Sequence, residues 1–506
     1  MKKYIILFIL GLSITKVQSQ EISDAMRYAD DDLNGTARFV SMSGAFGALG
    51  GDFSSLNVNP AGGAVFLKNQ IGFTFSNYGI QNNTDYFGSQ YSDCINTFDV
   101  NQIGSVFVFY NVKPTSDWKK FTLGINYENA NDLDNSIFSY GTNPTNSVAN
   151  YFLTYANGTN GGVPLDVLEN SFYNYLNFQE QQAFLGYQGY VINPLTDEPD
   201  NAKYVSNVPP GGDYYQENYI ESSGYNGKLV FNMATQYKDQ FLFGLNLNSH
   251  FTNYLQYTSF YESNSNSETT GLRSLLFENN LYTYGYGFSF QVGAIVKATE
   301  DLRFGLAYES PTWYELNDEL LQTLYTTGYN YGNPPDPNLS STIVESKYIM
   351  LYQPYNLQTP GKLTGSFAYV FGKKGLISID YSYKDYGNTK FTPKDNYNNT
   401  GINQAMSNTL DVSTEFRVGA EYRIKQLSLR GGYRYEGSPY EDKQIQGDLN
   451  GFSTGLGYNF GPAKIDFAYA FSHRSSQQES FSQGFTDGAH VDTENNNFSL
   501  TLLFDF

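Results

Sequence analysis

The last eleven residues, Asn496 to Phe506 (NNFSLTLLFDF), constrain this chain more than any other stretch. Phe498, Leu500, Leu502, Phe504 and Phe506 fall on one face, with Ser499, Thr501 and Asp505 mostly on the other. That is the two-residue period of a β-strand. At the end of a chain in water, such a strand would be an unpaired, aggregation-prone edge. In lipid every backbone N–H and C=O needs an internal partner, and the same strand makes sense as the one that closes a barrel. The expectation is an all-β fold, a transmembrane antiparallel β-barrel.

Residues 1–19 agree with export. Lys2 and Lys3 precede an apolar run from Tyr4 to Ile14, and Val17 and Ser19 are the small residues before a cut at Ser19/Gln20. The run is too short to cross a bilayer as a helix. Tyr (45) and Phe (39) dominate the apolar residues, as expected where aromatic girdles flank strands that are apolar on one face only. The lone cysteine, Cys94, excludes an intramolecular disulfide framework. A formal charge of −20 argues against nucleic acid as a partner.

Alternating runs predict 14 strands, starting near Asn69, Gln102, Lys119, Ser223, Gln240, Leu281, Asp301, Gly361, Lys374, Leu410, Gln426, Asn450, Ala463 and Asn495. Connections after even-numbered strands are tight, as at Lys238–Asp239, Lys425 and Gly461–Pro462. Those after odd-numbered strands are long, among them Ile80–Asn101, Ala130–Ser222 and Pro311–Pro360. Short periplasmic turns alternating with long extracellular loops are a mark of bacterial outer-membrane barrels. The parity points Arg417, Glu421, Arg423, Arg430, Arg434 and Asp466 into the lumen, along with Asp380, Lys384 and Glu436. There they either pair and stiffen the barrel, which is the simpler reading, or line a polar conduit. The second strand, around Val106 to Tyr110, is apolar on both faces and has no parity of its own.

Residues 20–68 lack strand parity yet are rich in glycine and apolar side chains, which suits an N-terminal plug for the barrel of residues 69–506. The Gly run at Gly44–Gly51 is no phosphate loop, because no Gly-Lys-Ser/Thr follows it. The stretch from Thr36 to Gly62 (TARFVSMSGAFGALGGDFSSLNVNPAG), with Asn59, Pro60 and Ala61, resembles the hatch of the long-chain fatty-acid transporter family of outer-membrane barrels. Arg303–Pro311 (RFGLAYESP), Gln358–Tyr386 and Thr414–Pro439 are similar to that family too. The resemblance implies 14 strands, a hatch in the lumen, and passive uptake of hydrophobic small molecules with exit sideways through the wall. Two departures are visible. Gly63 stands where many members carry a bulkier apolar residue, and the Ala130–Ser222 loop is unusually long. Some members serve inside larger outer-membrane machines instead.

Within the long loop, Pro164 to Phe184 reads as helix, with Leu165, Leu168, Phe172 and Leu176 along one side. The simplest role is a lid packed on the barrel mouth. Ligand capture and docking of a partner are the alternatives. Catalysis has little support: the three histidines, His250, His473 and His490, form no nucleophile–base or zinc spacing. Asp30-Asp31-Asp32 and Asp197-Glu198-Pro199-Asp200 could hold a cation, but solvated loop charge explains them more simply. No cofactor or metal is expected. The expected setting is the bacterial outer membrane, with its lipid bilayer and a hydrophobic small-molecule ligand as partners. The alternative function is a structural subunit of a secretion or assembly complex, whose partners are other outer-membrane proteins or lipoproteins.

Overall fold

Strands that are apolar on one face only, with no second sheet to pack against, bury their backbone edges by curling until first and last meet. The computed structural model shows this closure. It describes residues 20–506 apart from 114, 159–160, 332–335, 347 and 393–396, so the export segment 1–19 lies outside the described residues. The wall consists of β1 (Gln70–Tyr86), β2 (Ser89–Tyr110), β3 (Trp118–Asp132), β4 (Tyr214–Tyr237), β5 (Phe241–Ser263) and β6 (Gly271–Lys297). It continues with β7 (Leu302–Glu309, prolonged by Trp313–Tyr331), β8 (Lys362–Val370), β9 (Gly375–Asp385) and β10 (Val412–Ile424). β11 (Leu427–Glu436), β12 (Leu449–Asn459), β13 (Ala463–Glu479) and β14 (Gly488–Asp505) complete it. Neighbours pair antiparallel throughout, and β14 returns to β1 from Gln70↔Asp505 to Asp85↔His490.

The faces sort by solvent preference. On β14, Phe498, Leu500 and Phe504 look outward while Ser499, Thr501 and Leu503 are buried in the lumen. On β2, Ile103, Phe107 and Phe109 look outward and Gln102 and Val106 inward. Tight turns join even strands to the next. Two of them place a lysine at positive φ, Lys238 (+51°) and Lys425 (+56°).

The outer ends differ from the sequence expectation. Ile80–Asn101 is not a loop. β1 and β2 run on as a ladder to Tyr86↔Ser89, turning through Phe87 and Gly88 at φ +48° and +84°. Its buried face carries Asn82 and Thr84, which donate to the carbonyls of Ser136 and Phe138, and Gln81, Asn83 and Asp85 lie on the other, so the apolar alternation that marks a strand is lost. β4, β6 and β14 likewise begin at Tyr214, Gly271 and Gly488, ahead of their expected starts.

The N-terminal segment enters the lumen with two short helices, α1 (Ile22–Ala29) and α2 (Ala37–Val40). Towards the outer end, Ala25, Met26 and Tyr28 pack with Tyr314, Leu357 and Phe391. Towards the periplasmic end, Phe53, Leu56 and Phe66 pack with Val106 and Leu503. The segment therefore threads the barrel along most of its height.

Three further helices cap the outer mouth: α3 (Ala149–Asn157), α4 (Leu165–Asn170) and α5 (Phe178–Gln188). The expected single helix over Pro164–Phe184 is broken. A 3-10 turn at Tyr173–Tyr175 intervenes, and Asn177 starts α5 afresh with a reciprocal cap. Its side chain accepts from Glu180 N at 3.0 Å, while Glu180 Oε2 accepts from Asn177 N at 2.9 Å. The helix α6 (Tyr397–Thr409) lies in the β9–β10 connection.

One seam in the wall is incomplete. β2 and β3 share only the pairs from Gln102↔Glu128 to Tyr110↔Lys120. Beyond them β2 pairs with β1 alone, and Asn129–Asp132 pairs with β4 alone, across a register shift between Asn129 and Asn131. Side chains bridge the seam: Thr97 Oγ1 donates to Asp132 Oδ2 and Asn129 Nδ2 to Asp99 Oδ2, both at 3.1 Å.

Candidate functional site: the filled lumen and its cavity

A polypeptide segment held inside a barrel has to have its backbone carbonyls satisfied, because little water reaches them. Inward-facing amides do this here. Asn232 on β4 donates to the Pro60 carbonyl (2.9 Å) and to Asn246 Oδ1 on β5 (2.7 Å). Asn246 in turn donates to the Leu56 carbonyl (2.8 Å) and to Gln291 on β6 (3.0 Å). Gln291 donates to the carbonyls of Asn57 (2.9 Å) and Val58 (3.2 Å). Three amides on three adjacent strands thus clamp residues 56–60.

Asn59, Pro60 and Ala61 sit on this clamp. Asn59 Oδ1 accepts from Ala61 N at 3.1 Å, which starts the turn that Pro60 prefigures. Its Nδ2 donates to the Gly47 carbonyl (2.7 Å) and to the Ala294 carbonyl on β6 (3.1 Å). The wall makes room with glycine. A β-carbon on Gly244 would lie 2.2 Å from the Pro60 carbonyl carbon. Gly63, the family departure, is matched the same way: a β-carbon there would lie 2.1 Å from Asn232 Oδ1. This clamp was not visible in the sequence, where isolated Asn and Gln residues carry no periodic signal.

The lumenal charges form two networks on β10–β13. Glu421 accepts from Arg38 of the N-terminal segment (3.1 Å) and from Arg430 (2.7 Å) and Arg423 (2.5 Å). Arg430 also reaches Asp466 at 2.5 Å. Arg434 contacts Glu415 (3.1 Å) and Glu436 (2.5 Å), and Arg417 pairs with Glu415. The wall residues among them are buried except Arg423, which lies at the periplasmic rim, and Arg38 is partly buried. Asp31 contacts Lys384 at 3.2 Å and Lys362 at 3.9 Å. Burial alone would raise its carboxyl, but Lys384, Lys362 and Lys228 hold it well below the usual carboxylate range. Asp52 goes the other way. Burial pushes its carboxyl up, against the pull of Arg38 and of hydrogen bonds from Thr36 and Ser54.

In the cap, Leu165 and Leu168 are buried in a cluster with Phe152, Leu185, Phe277 and Leu324, and Leu176 is buried outside that cluster. Phe172 is not among them. It is 74% exposed, beside Tyr175 at 80%, with ring centroids 6.4 Å apart. His250 lies in the lumen between Ser289 (2.9 Å) and Tyr314 (3.3 Å). His473 and His490 are exposed and both face Asp492. Among the described residues no group of His, Cys, Asp and Glu is arranged to hold a metal ion. Of the acidic run, Asp30 contacts Arg474 and Asp31 the two lysines.

The filled lumen leaves a cavity of about 330 Å³. Its walls include Tyr78 and Ile80 of β1, Asp132 at the end of β3 with Leu133–Asn135 after it, and Asp32, Leu33 and Arg27 of the N-terminal segment. It thus lies beside the incomplete seam. Two smaller voids lie around Asp31 and Lys362, of about 70 and 20 Å³.

A closed 14-stranded barrel filled by its own N-terminal segment, with a lipid-facing apolar band, defines an outer-membrane protein of the internally plugged class. Residues 279–506 match the family model described as outer membrane protein transport protein (OMPP1/FadL/TodX). The fold is similar to that of a Pseudomonas aeruginosa FadL homologue, with a TM-score of 0.54 and 12% identity over 94% of this chain and 99% of that one. It is also similar to the P. putida toluene transporter TodX, at a TM-score of 0.51 and 13% identity over 94% and 99%. At such identities the likeness is one of fold. No curated protein matches the chain in sequence.

Proposed function

We propose that the protein is a passive route by which hydrophobic small molecules cross the outer membrane. A ligand is captured at the helical cap, enters the lumen, and is barred from a straight path by the Asn59–Ala61 turn. It leaves sideways through the wall. The observation that carries this reading is the β2–β3 seam, where backbone pairing stops at Gln102↔Glu128 beside the cavity. Side-chain hydrogen bonds there part at far lower cost than a strand ladder. Burial of about 0.8 kcal/mol per CH₂ draws an alkyl chain from water along such a path. The test is a Thr97→Cys/Asp132→Cys pair in a Cys94→Ser background, bridged in cells through two disulfides by a short bis-methanethiosulfonate crosslinker. Uptake of a hydrophobic tracer should fall to background on bridging and recover on reduction. Unchanged uptake would reject the lateral route.

A second reading rests on Phe172 and Tyr175, whose exposure on the cap suits docking of another outer-membrane protein. In that case Phe172→Ser/Tyr175→Ser should disperse a larger assembly extracted from native membranes and leave tracer uptake intact.

A further inference from the structure

The chemistry of the cavity decides what kind of ligand it takes. Its apolar side is built from Leu33, Ile80 and Leu133, with Leu449, Ala470 and Phe471 across from them. Its polar side carries three carboxylates, Asp32, Asp132 and Asp134, and two guanidinium groups, Arg27 and Arg434. The two cations already have anionic partners. Arg27 contacts Asp24 at 3.1 Å and lies 3.9 Å over the Tyr254 ring, and Arg434 is held by Glu415 and Glu436. Among the described residues no cation forms an ion pair with any of the three aspartates. Asp132 accepts only from Thr97 Oγ1 and Asp134 N, and Asp134 only from Gly224 N.

A second observation points to a missing partner. The Tyr78 hydroxyl lines the cavity from a residue only 4% exposed and has no hydrogen-bond partner, and Asn497 Oδ1 on the adjoining wall is likewise unpartnered. A buried polar atom without a partner is costly, so such groups normally meet water or a ligand. The volume, about 330 Å³, lies at the small end of ligand pockets.

We propose that this cavity binds a compact amphiphile whose head is cationic or a neutral hydrogen-bond donor, and that it disfavours a carboxylate head. The head lies against Asp132, Asp134 and the Tyr78 hydroxyl, and the apolar body against Leu33, Ile80 and Leu133. A fatty-acid anion would bring a fourth negative charge to a place whose cations are already engaged. This inference rests on the transport reading and names its ligand class.

The test holds the tail constant and varies the head. Decylamine, decanol and decanoate are titrated at pH 7.5 into the full-length protein in nanodiscs, followed by native mass spectrometry or calorimetry. The amine and the alcohol should bind roughly tenfold or more tighter than decanoate, in line with the cost of an unpaired buried charge. Asp132→Asn/Asp134→Asn should erase the amine's advantage, and Tyr78→Phe should weaken the alcohol. Heat-modifiable gel migration confirms that each variant is a folded barrel. Decanoate binding as tightly as the amine would overturn the inference and leave the transport reading standing. Failure of all three to bind a folded barrel would overturn both.

Discussion

Asn59 and Gly293 meet so closely that a β-carbon on the glycine would lie 2.0 Å from the asparagine Oδ1. The contact joins the turn of the N-terminal segment to the wall strand β6, where the same asparagine hydrogen-bonds the next carbonyl, that of Ala294.

Gly293→Val should therefore unseat the segment while sparing the barrel. The expected cost is about 1–3 kcal/mol, typical of overpacking. Limited proteolysis of residues 20–66 should accelerate. Gly365→Val is the control, since a β-carbon there meets nothing within 4 Å and digestion should be unaltered.

Asn246→Leu should have a related effect by a different cause. It strips partners from the Leu56 carbonyl and from Asn232 and Gln291 at once. Each buried polar group left alone costs about 1–3 kcal/mol. The loss should exceed that of Asn248→Leu, whose side-chain amide bonds only to Ser289, as measured by thermal melting of the purified barrel.

Glu421→Gln removes the anion shared by Arg38, Arg423 and Arg430. Breaking a buried pair from one side costs about 3–5 kcal/mol at most, and here it falls on Arg38, since Arg430 keeps Asp466 and Arg423 is open to water. Trypsin should then cut at Arg38 in the variant and spare it in the parent protein.

The seating of the N-terminal segment should weaken with rising pH through Asp52. Its folded carboxyl is raised above the ordinary 3.8, so the native state keeps a proton that the released segment loses. The contribution is fully present below about pH 4 and is lost as pH rises through the folded value. Asp31, held low by its lysines, contributes the opposite slope. The difference between parent and Asp52→Asn isolates the first term: digestion of the parent should speed up from pH 4 to 8, and the variant should show a smaller change.

Deletion of Ala25–Ala61 should open the lumen without abolishing the barrel, because the strand ladder closes through β1 and β14 alone. Tracer uptake should change in vesicles containing the variant. Unaltered uptake would count against any gating role for the segment.

Much of this was legible in the sequence because lipid imposes a strict alternation. The outward set Phe498, Leu500 and Phe504, and the charged residues Arg417, Glu421, Arg430, Arg434 and Asp466 on the other face of their strands, follow from that rule alone. Where the buried face is polar, as at Asn82 and Thr84, the rule lapses, so the ladder beyond Ile80↔Ile95 reads as loop. The break after α4 escaped because Phe172 has the right spacing for a helix face but projects into solvent, while the Asn177–Glu180 cap restarts the helix. The clamp of Asn232, Asn246 and Gln291 is a tertiary feature, spread over three strands with no local signature.

The ring is sealed at its seam by the two extremes of the wall: Phe506 N donates to the Asn69 carbonyl at 3.1 Å, and Gln70 Nε2 to Asp505 at 2.6 Å. Those partners stand at opposite ends of the strand order, so closure of the ring needs the complete set of strands. The N-terminal segment lies inside the closed ring and has to be in place before that closure. Its amide clamp ties it to β4, β5 and β6, which makes those strands a cradle for the segment as well as a wall.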